Sequence, residues 1–139
     1  MGGLGVAEVI LLDTHVLVWM VSDSSRLSKV AARELRKAEQ NAELAIASIT
    51  LWELALLYHS GRLRTSGTVE SAIRTIVEKS GVQVVEVTPE IAALSTLFPE
   101  TYPRDPGDRL IGATARAYGL TIVTQDERML SSPLLRTLW

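Results

Sequence analysis

The chain contains no cysteine. Disulfide scaffolds, thiolate metal sites and thiol nucleophiles are thereby excluded, and a reducing compartment fits. Histidine is almost as scarce. His15 and His59 are the two copies, so a zinc site built from several histidines of one chain is nearly excluded. Lysine is limited to Lys29, Lys37 and Lys79, and arginine supplies most of the positive charge. Aromatic residues make up 5% of the chain. The core must then come mostly from Leu, Val, Ile and Ala, and no aromatic series is available as a stacking platform for nucleic acid. No apolar run approaches the roughly 20 residues needed to cross a bilayer. The opening segment, Met1 to Ala7, has no charged start, so no signal peptide is read and residues 1–8 are expected to form a flexible lead-in. A net charge of −2 argues against a protein that coats nucleic acid through overall basicity.

What is present is a chain of 139 residues, 47% hydrophobic. That is the size of one domain, able to bury about two-thirds of its unfolded surface. Short apolar runs alternate with helical stretches. Val9 to Asp13 reads as a buried strand, because branched apolar residues follow one another without alternation. A short helix starts near His15 and is broken by Asp23-Ser24-Ser25. Ser28 caps a helix to about Gln40. Leu44 to Ala47 is a strand, and Thr50 to His59 and Thr68 to Lys79 are helices, ended by Ser60-Gly61 and Gly81. Val82 to Val87 reads as a strand. Pro89 opens a further helix at its first position. Phe98 to Arg104 is a loop, Asp105-Pro106 starts a helix that closes at Gly119, and Leu120 to Thr124 is the last clear strand. Strands alternating with helix pairs make an α/β fold with a mostly parallel sheet of four to five short strands the natural class.

Against this outline, four acids fall at similar places. Asp13 follows the first strand and Asp126 the last. Glu53 lies one helical turn past Ala45-Ile46-Ala47, and Asp108 begins the helix that contains Leu110 to Ala117. In an open parallel sheet such positions gather in a crevice outside the carboxyl ends of the strands. Carboxylates converging there repel one another unless a cation neutralises them, which points to a hard-metal site and metal-assisted chemistry on an anionic substrate. Each acid also has a purely structural explanation. Asp13 and Asp126 could cap helices. Thr50-Leu51-Trp52-Glu53 matches a capping box, in which Glu53 would bond the Thr50 amide. Asp105-Pro106-Gly107-Asp108 is a cap, a proline at the first helical position and an acid that complements the helix dipole. Taken singly these readings are at least as good; taken together they do not require four acids on one sheet edge.

Four segments carry a resemblance to a known family. They are Leu11-Leu12-Asp13-Thr14-His15-Val16-Leu17-Val18-Trp19, Ser48-Ile49-Thr50-Leu51-Trp52-Glu53-Leu54, Arg104-Asp105-Pro106-Gly107-Asp108-Arg109-Leu110-Ile111-Gly112-Ala113-Thr114-Ala115, and Leu120-Thr121-Ile122-Val123-Thr124-Gln125-Asp126. In order and spacing they resemble PIN-domain ribonucleases of the VapC toxin type, with the domain spanning residues 9–139. The resemblance implies a PIN-like fold and a catalytic, metal-holding quartet of Asp13, Glu53, Asp108 and Asp126. It implies Mg²⁺ or Mn²⁺ as cofactor, with Asp13, Asp126 and Asp108 around a first ion and Glu53 holding a second or activating water. Thr124 matches a hydroxyl position near the site and Asp105 a commonly acidic one. Arg109 is expected to pair with Asp105 or Asp126. Gly107 and Gly112 depart from the pattern, where bulkier residues or Ala are usual, and are expected to loosen their helix.

The activity implied is hydrolysis of RNA phosphodiesters by water, leaving 5′-phosphates. The partners implied are RNA, a small DNA-binding antitoxin that blocks the crevice, and a second copy in a homodimer or larger complex. The helices Ser28 to Gln40 and Thr50 to His59 are the expected contact surfaces, in a cytoplasmic protein. His15, Arg62 and Arg64 read as surface residues, and Trp19 and Trp52 as core or interface. A receiver domain would need a lysine late in the sheet, and none follows Lys79. A haloacid-dehalogenase-type phosphatase would need an aspartate where His15 stands. The remaining alternatives are a PIN-like nuclease in RNA or DNA processing outside a toxin–antitoxin pair, or a non-catalytic PIN binding module.

Overall fold

The computed structural model describes residues 9–139; the expected lead-in at 1–8 lies outside them. Five strands, β1 (Ile10–Leu12), β2 (Leu44–Ala47), β3 (Gln83–Val85), β4 (Thr121–Val123) and β5 (Arg136–Leu138), form one sheet in the order β3-β2-β1-β4-β5. Every neighbouring pair is parallel. Seven helices connect the strands: α1 (Thr14–Ser22), α2 (Lys29–Gln40), α3 (Ile49–His59), α4 (Val69–Ser80), α5 (Pro89–Leu94), α6 (Pro106–Tyr118) and α7 (Glu127–Leu130).

Successive strand residues face opposite sides of a sheet, and here both sides are covered. Leu11, Ala45, Ala47 and Ile122 enter a core with Ile91, Ile111 and Met129. Leu12, Leu44, Ile46 and Val123 enter a second core with Leu17, Leu35, Leu54 and Ile76. This double burial explains why β1 and β2 are continuous apolar runs. The helix ends follow the sequence signals. The hydroxyls of Ser28, Thr68 and Thr88 accept bonds from the amides of Ala31, Ser71 and Ile91. Gly81 and Gly119 close α4 and α6 with φ of 71° and 66°, a left-handed conformation that glycine adopts without strain.

The sequence reading and the structure differ in three places. The sheet continues past Leu120–Thr124 into β5, where Thr121, Ile122 and Val123 pair with Arg136, Thr137 and Leu138. This strand is an edge, exposed or half-buried, and so carries no apolar run. β3 is shorter than Val82–Val87 and also lies at an edge. Helix α3 starts at Ile49, with Ser48 at its cap, so Thr50 lies inside the helix and the expected capping box does not form.

The strand order positions the site. From β1 the chain moves outward to β2 and β3, then returns to the other side of β1 for β4. The point of reversal lies between β1 and β4, and there the carboxyl ends of neighbouring strands open a crevice. Asp13 follows β1, and Thr124 and Asp126 follow β4.

Candidate active site

One cavity of about 300 Å³ is lined by Asp13, Glu53, Asp105, Asp108 and Asp126, together with Thr14, His15, Val16, Trp19 and Gln125. All four acids of the sequence quartet, and Asp105 beside them, are therefore brought together.

Asp13 is fixed on both oxygens. Its Oδ1 accepts from the Thr14 amide at 2.8 Å, and its Oδ2 accepts from the Thr124 hydroxyl at 2.8 Å. Burial pushes its pKa above the usual carboxylate value, against the lowering effect of these bonds. Thr124 in turn accepts from the Asp126 amide at 3.1 Å. Asp126 caps α7 through Oδ1, which accepts from the amides of Arg128 and Met129 at 2.9 and 3.1 Å. Its other oxygen has no hydrogen-bond partner among the described residues. Capping and site membership thus coexist: the cap uses one oxygen and leaves the second free.

Glu53 is held from across the cavity rather than by its own helix. The Thr14 hydroxyl donates to Glu53 Oε1 at 2.6 Å and lies 2.9 Å from the Thr50 hydroxyl. A hydroxyl has one proton, so with Thr14 donating to Glu53, Thr50 must donate to Thr14. Burial raises the Glu53 pKa, and Asp105 and Asp13 raise it further. The backbone of Gly107 packs against this carboxyl group. A Cβ at Gly107 would lie 2.7 Å from Glu53 Cδ and 3.0 Å from Asp105 Oδ1, and would press on Glu53 Oε2. At Gly112 a Cβ would meet Phe98 Cζ at 2.8 Å and the Tyr102 ring at 3.1 Å. The two glycines, expected to loosen α6, instead permit close approaches.

Asp108 is the most perturbed acid of the set. Its pKa is pushed up to about 7, first by burial, then by Asp13, Asp105, Asp126 and Glu53. Asp105 caps α6 by accepting from the Gly107 amide at 2.7 Å. The Tyr102 hydroxyl donates to the Asp108 carbonyl at 2.7 Å, fixing the first turn of α6; burial raises the pKa of this phenol.

No ion pair answers this charge among the described residues. The ion pairs among the described residues are Arg33–Glu34 and Arg74–Glu70, both remote from the cavity. The expected pairing of Arg109 with Asp105 or Asp126 is absent: each acid gives one oxygen to helix amides, and the half-buried Arg109 side chain forms no ion pair among the described residues. Arg62 and Arg64 are exposed, as expected. Trp19 is half-buried, but Trp52 is 53% exposed.

The donor set fits a hard divalent cation, because every candidate ligand is an oxygen and the carboxylates repel one another. Among the described residues no three acidic side chains converge as a preformed ligand set. The fit is to an ion that keeps several waters and takes only one or two carboxylates directly, as Mg²⁺ does. Sequence reasoning passed over Thr14 and Thr50. Their signal was adjacency: Thr14 follows Asp13, and Thr50 lies three residues before Glu53, a spacing assigned to a cap.

The fold and these residues match known proteins. The PIN domain family matches residues 10–132. Ribonuclease VapC22 of Mycobacterium tuberculosis is 38% identical over 132 residues, covering 94% of this chain and 98% of that protein. Among solved structures, VapBC2 from Rickettsia felis, bound to a DNA fragment from its promoter, superposes with a TM-score of 0.69 at 19% identity, covering 94% of this chain and 97% of that one. DNA-bound VapBC from Salmonella typhimurium gives 0.66 at 20% identity, covering 94% and 96%. The chain belongs to the PIN-domain family, as a member of its VapC type.

Proposed function

We propose that the protein is a Mg²⁺- or Mn²⁺-dependent endoribonuclease, the toxin of a VapBC-type pair, with Asp13, Glu53, Asp108 and Asp126 as its catalytic, metal-holding acids. One observation carries the reading: five carboxylates line one cavity, and no ion pair neutralises them among the described residues. A bound divalent ion supplies the missing positive charge and acidifies water. Asp13, Asp108 and Asp126 would hold that ion, at most two of them directly and the remainder through its waters. Thr124 keeps Asp13 oriented through its hydroxyl, and the α7 amides keep Asp126 oriented. Glu53 accepts a proton from the attacking water at Oε2, since Oε1 is occupied by Thr14. Asp105 and Tyr102 fix the start of α6 and so the position of Asp108.

The 38%-identical relative bears the name of a ribonuclease, which supports RNA as the substrate. Structures of similar fold are VapBC complexes with DNA, which supports a small DNA-binding antitoxin as partner. Trp52 and Leu56, one turn apart, are exposed on α3, and Val30 is exposed on α2. Such apolar surface suits contacts with the antitoxin or with a second copy in a homodimer. No described helix is long and apolar enough to cross a membrane, and a cytoplasmic location fits this role.

The test is cleavage of end-labelled RNA by purified protein. EDTA should stop it, and Mg²⁺ or Mn²⁺ should restore it. The products should carry 5′-phosphates, because water is the attacking group. Cleavage without added metal that leaves 2′,3′-cyclic phosphates would mean attack by the ribose hydroxyl and would overturn the proposal. Cleavage of DNA in preference to RNA would favour a role outside a toxin–antitoxin pair.

A further inference from the structure

The cavity has two chemically different walls. One consists of carboxylates. The other is the start of α1, where His15 and Trp19, one helical turn apart, line the same space. Their ring centroids lie 6.2 Å apart with the planes at 45°. Trp19 is braced. The Trp139 ring meets it edge-on at 5.9 Å, and the Arg26 guanidinium sits 4.6 Å from its ring centroid. His15 is different: it is exposed, and its imidazole makes no hydrogen bond or ion pair among the described residues. Arg26 is also exposed and without an ion pair among those residues, but it lies against the Trp19 ring and not among the residues that line the cavity.

The exposed imidazole, tilted against a braced indole, offers one aromatic face that the described residues leave unused. We propose that His15, backed by Trp19, is a stacking site for an unpaired nucleobase next to the phosphate held at the acids. The inference rests on the ribonuclease reading and adds to it a residue that touches the substrate beside the acids. Any base has a π-face, so such a wall selects for single-stranded or looped RNA rather than for sequence. A base inside a duplex is already stacked on its neighbours and cannot offer its face to a side chain.

The test uses the full chain with Asp126→Asn, so that bound RNA is not cut. Fluorescence anisotropy reports the binding of a labelled, mixed-sequence single-stranded 12-mer of RNA in Mg²⁺. His15→Ala in this background should weaken binding by about tenfold, within the range for loss of one aromatic stacking partner. His15→Phe should keep affinity within roughly threefold of the parent, because the ring remains while the imidazole chemistry is lost. A blunt duplex of the same sequence should bind more weakly and be indifferent to His15→Ala. Unchanged binding by His15→Ala overturns the stacking site. Equal losses in the Ala and Phe variants also overturn it, since they assign His15 a polar contact instead. Wild-type protein that cuts RNA without preferring single strands defeats this inference alone. Wild-type protein that neither cuts nor binds RNA defeats the ribonuclease reading with it.

Discussion

Replacing Gly107 by Ala should separate activity from stability. The added Cβ would sit 2.7 Å from Glu53 Cδ, whereas carbon atoms rest at about 3.5–4.0 Å. The carboxyl group must therefore retreat by roughly 1 Å. It can do so, because it is the end of a flexible side chain and not backbone. The retreat breaks the bond from Thr14, at a cost of about 1 kcal/mol. Removing glycine from a helix returns up to ~1 kcal/mol. The two nearly cancel, so Tm should move by no more than about 4 °C. Activity should respond quite differently. A misplacement of about 1 Å in a catalytic group can cost about 100-fold, so kcat for RNA cleavage should fall by roughly 10- to 100-fold with Tm almost unchanged. Thermal melts and single-turnover cleavage of one RNA measure both. The same substitution in a Glu53→Gln background should have little further effect, because the group it displaces has already lost its function. Wild-type kcat in Gly107→Ala would refute the reasoning, and so would a loss that persists undiminished in the Glu53→Gln background.

Other outcomes follow from the same geometry. Asp13→Asn or Asp126→Asn should abolish cleavage while the protein stays folded and Tm holds or rises, because mutual repulsion is relieved; full metal-dependent activity in either purified variant would exclude that acid from the site. Glu53→Gln retains an acceptor for Thr14 but loses the charge, so activity should be lost at near-normal stability; retained activity would reduce Glu53 to a structural role. Asp108 has a folded-state pKa of about 7 against an ordinary 3.8, so the folded protein binds this proton more tightly than the unfolded chain does. The stability it contributes is complete below about pH 4 and is lost as pH rises through about 7. In EDTA, the stability advantage of Asp108→Asn over wild type, read from denaturant unfolding, should therefore grow from pH 5 to pH 8 by about 1–2 kcal/mol once partial solvent exposure is allowed for. An advantage that shrinks over that range would reverse the assignment.

The strands were legible where both faces are buried, because double burial writes a continuous apolar run, as in β1 and β2. They were illegible at the edges. β5 draws on Arg136 and Thr137, whose place is set by pairing with Thr121 and Ile122 and not by any pattern of their own. The acids were legible because strand ends and helix starts fix where they must lie. Their contacts were not. Thr50-x-x-Glu53 has the spacing of a capping box, but Thr50 points its hydroxyl at Thr14, 36 residues away, and Glu53 follows it across the cavity. Local spacing cannot show that a distant hydroxyl competes for the same carboxylate. Gly107 looked like a weakness in a helix for the same reason: the atom that would fill its missing side chain belongs to another element. The aromatic wall was invisible because Trp19 and Trp139 lie at opposite ends of the described chain.

The bond between Thr124 and Asp13 joins residues 111 positions apart, and this bears on how the protein comes into being. Loop closure over such a span precedes any gain from the contact, and parallel pairing of distant strands is intrinsically slow. During synthesis β1 emerges early and can pair with β2 long before β4 exists. Until β4 is made the chain has Asp13 and Glu53, gains Asp108 only late, and lacks both Asp126 and the hydroxyl that orients Asp13. On the proposed reading, cleavage therefore waits until the chain has been made through Asp126 and β4 has joined β1.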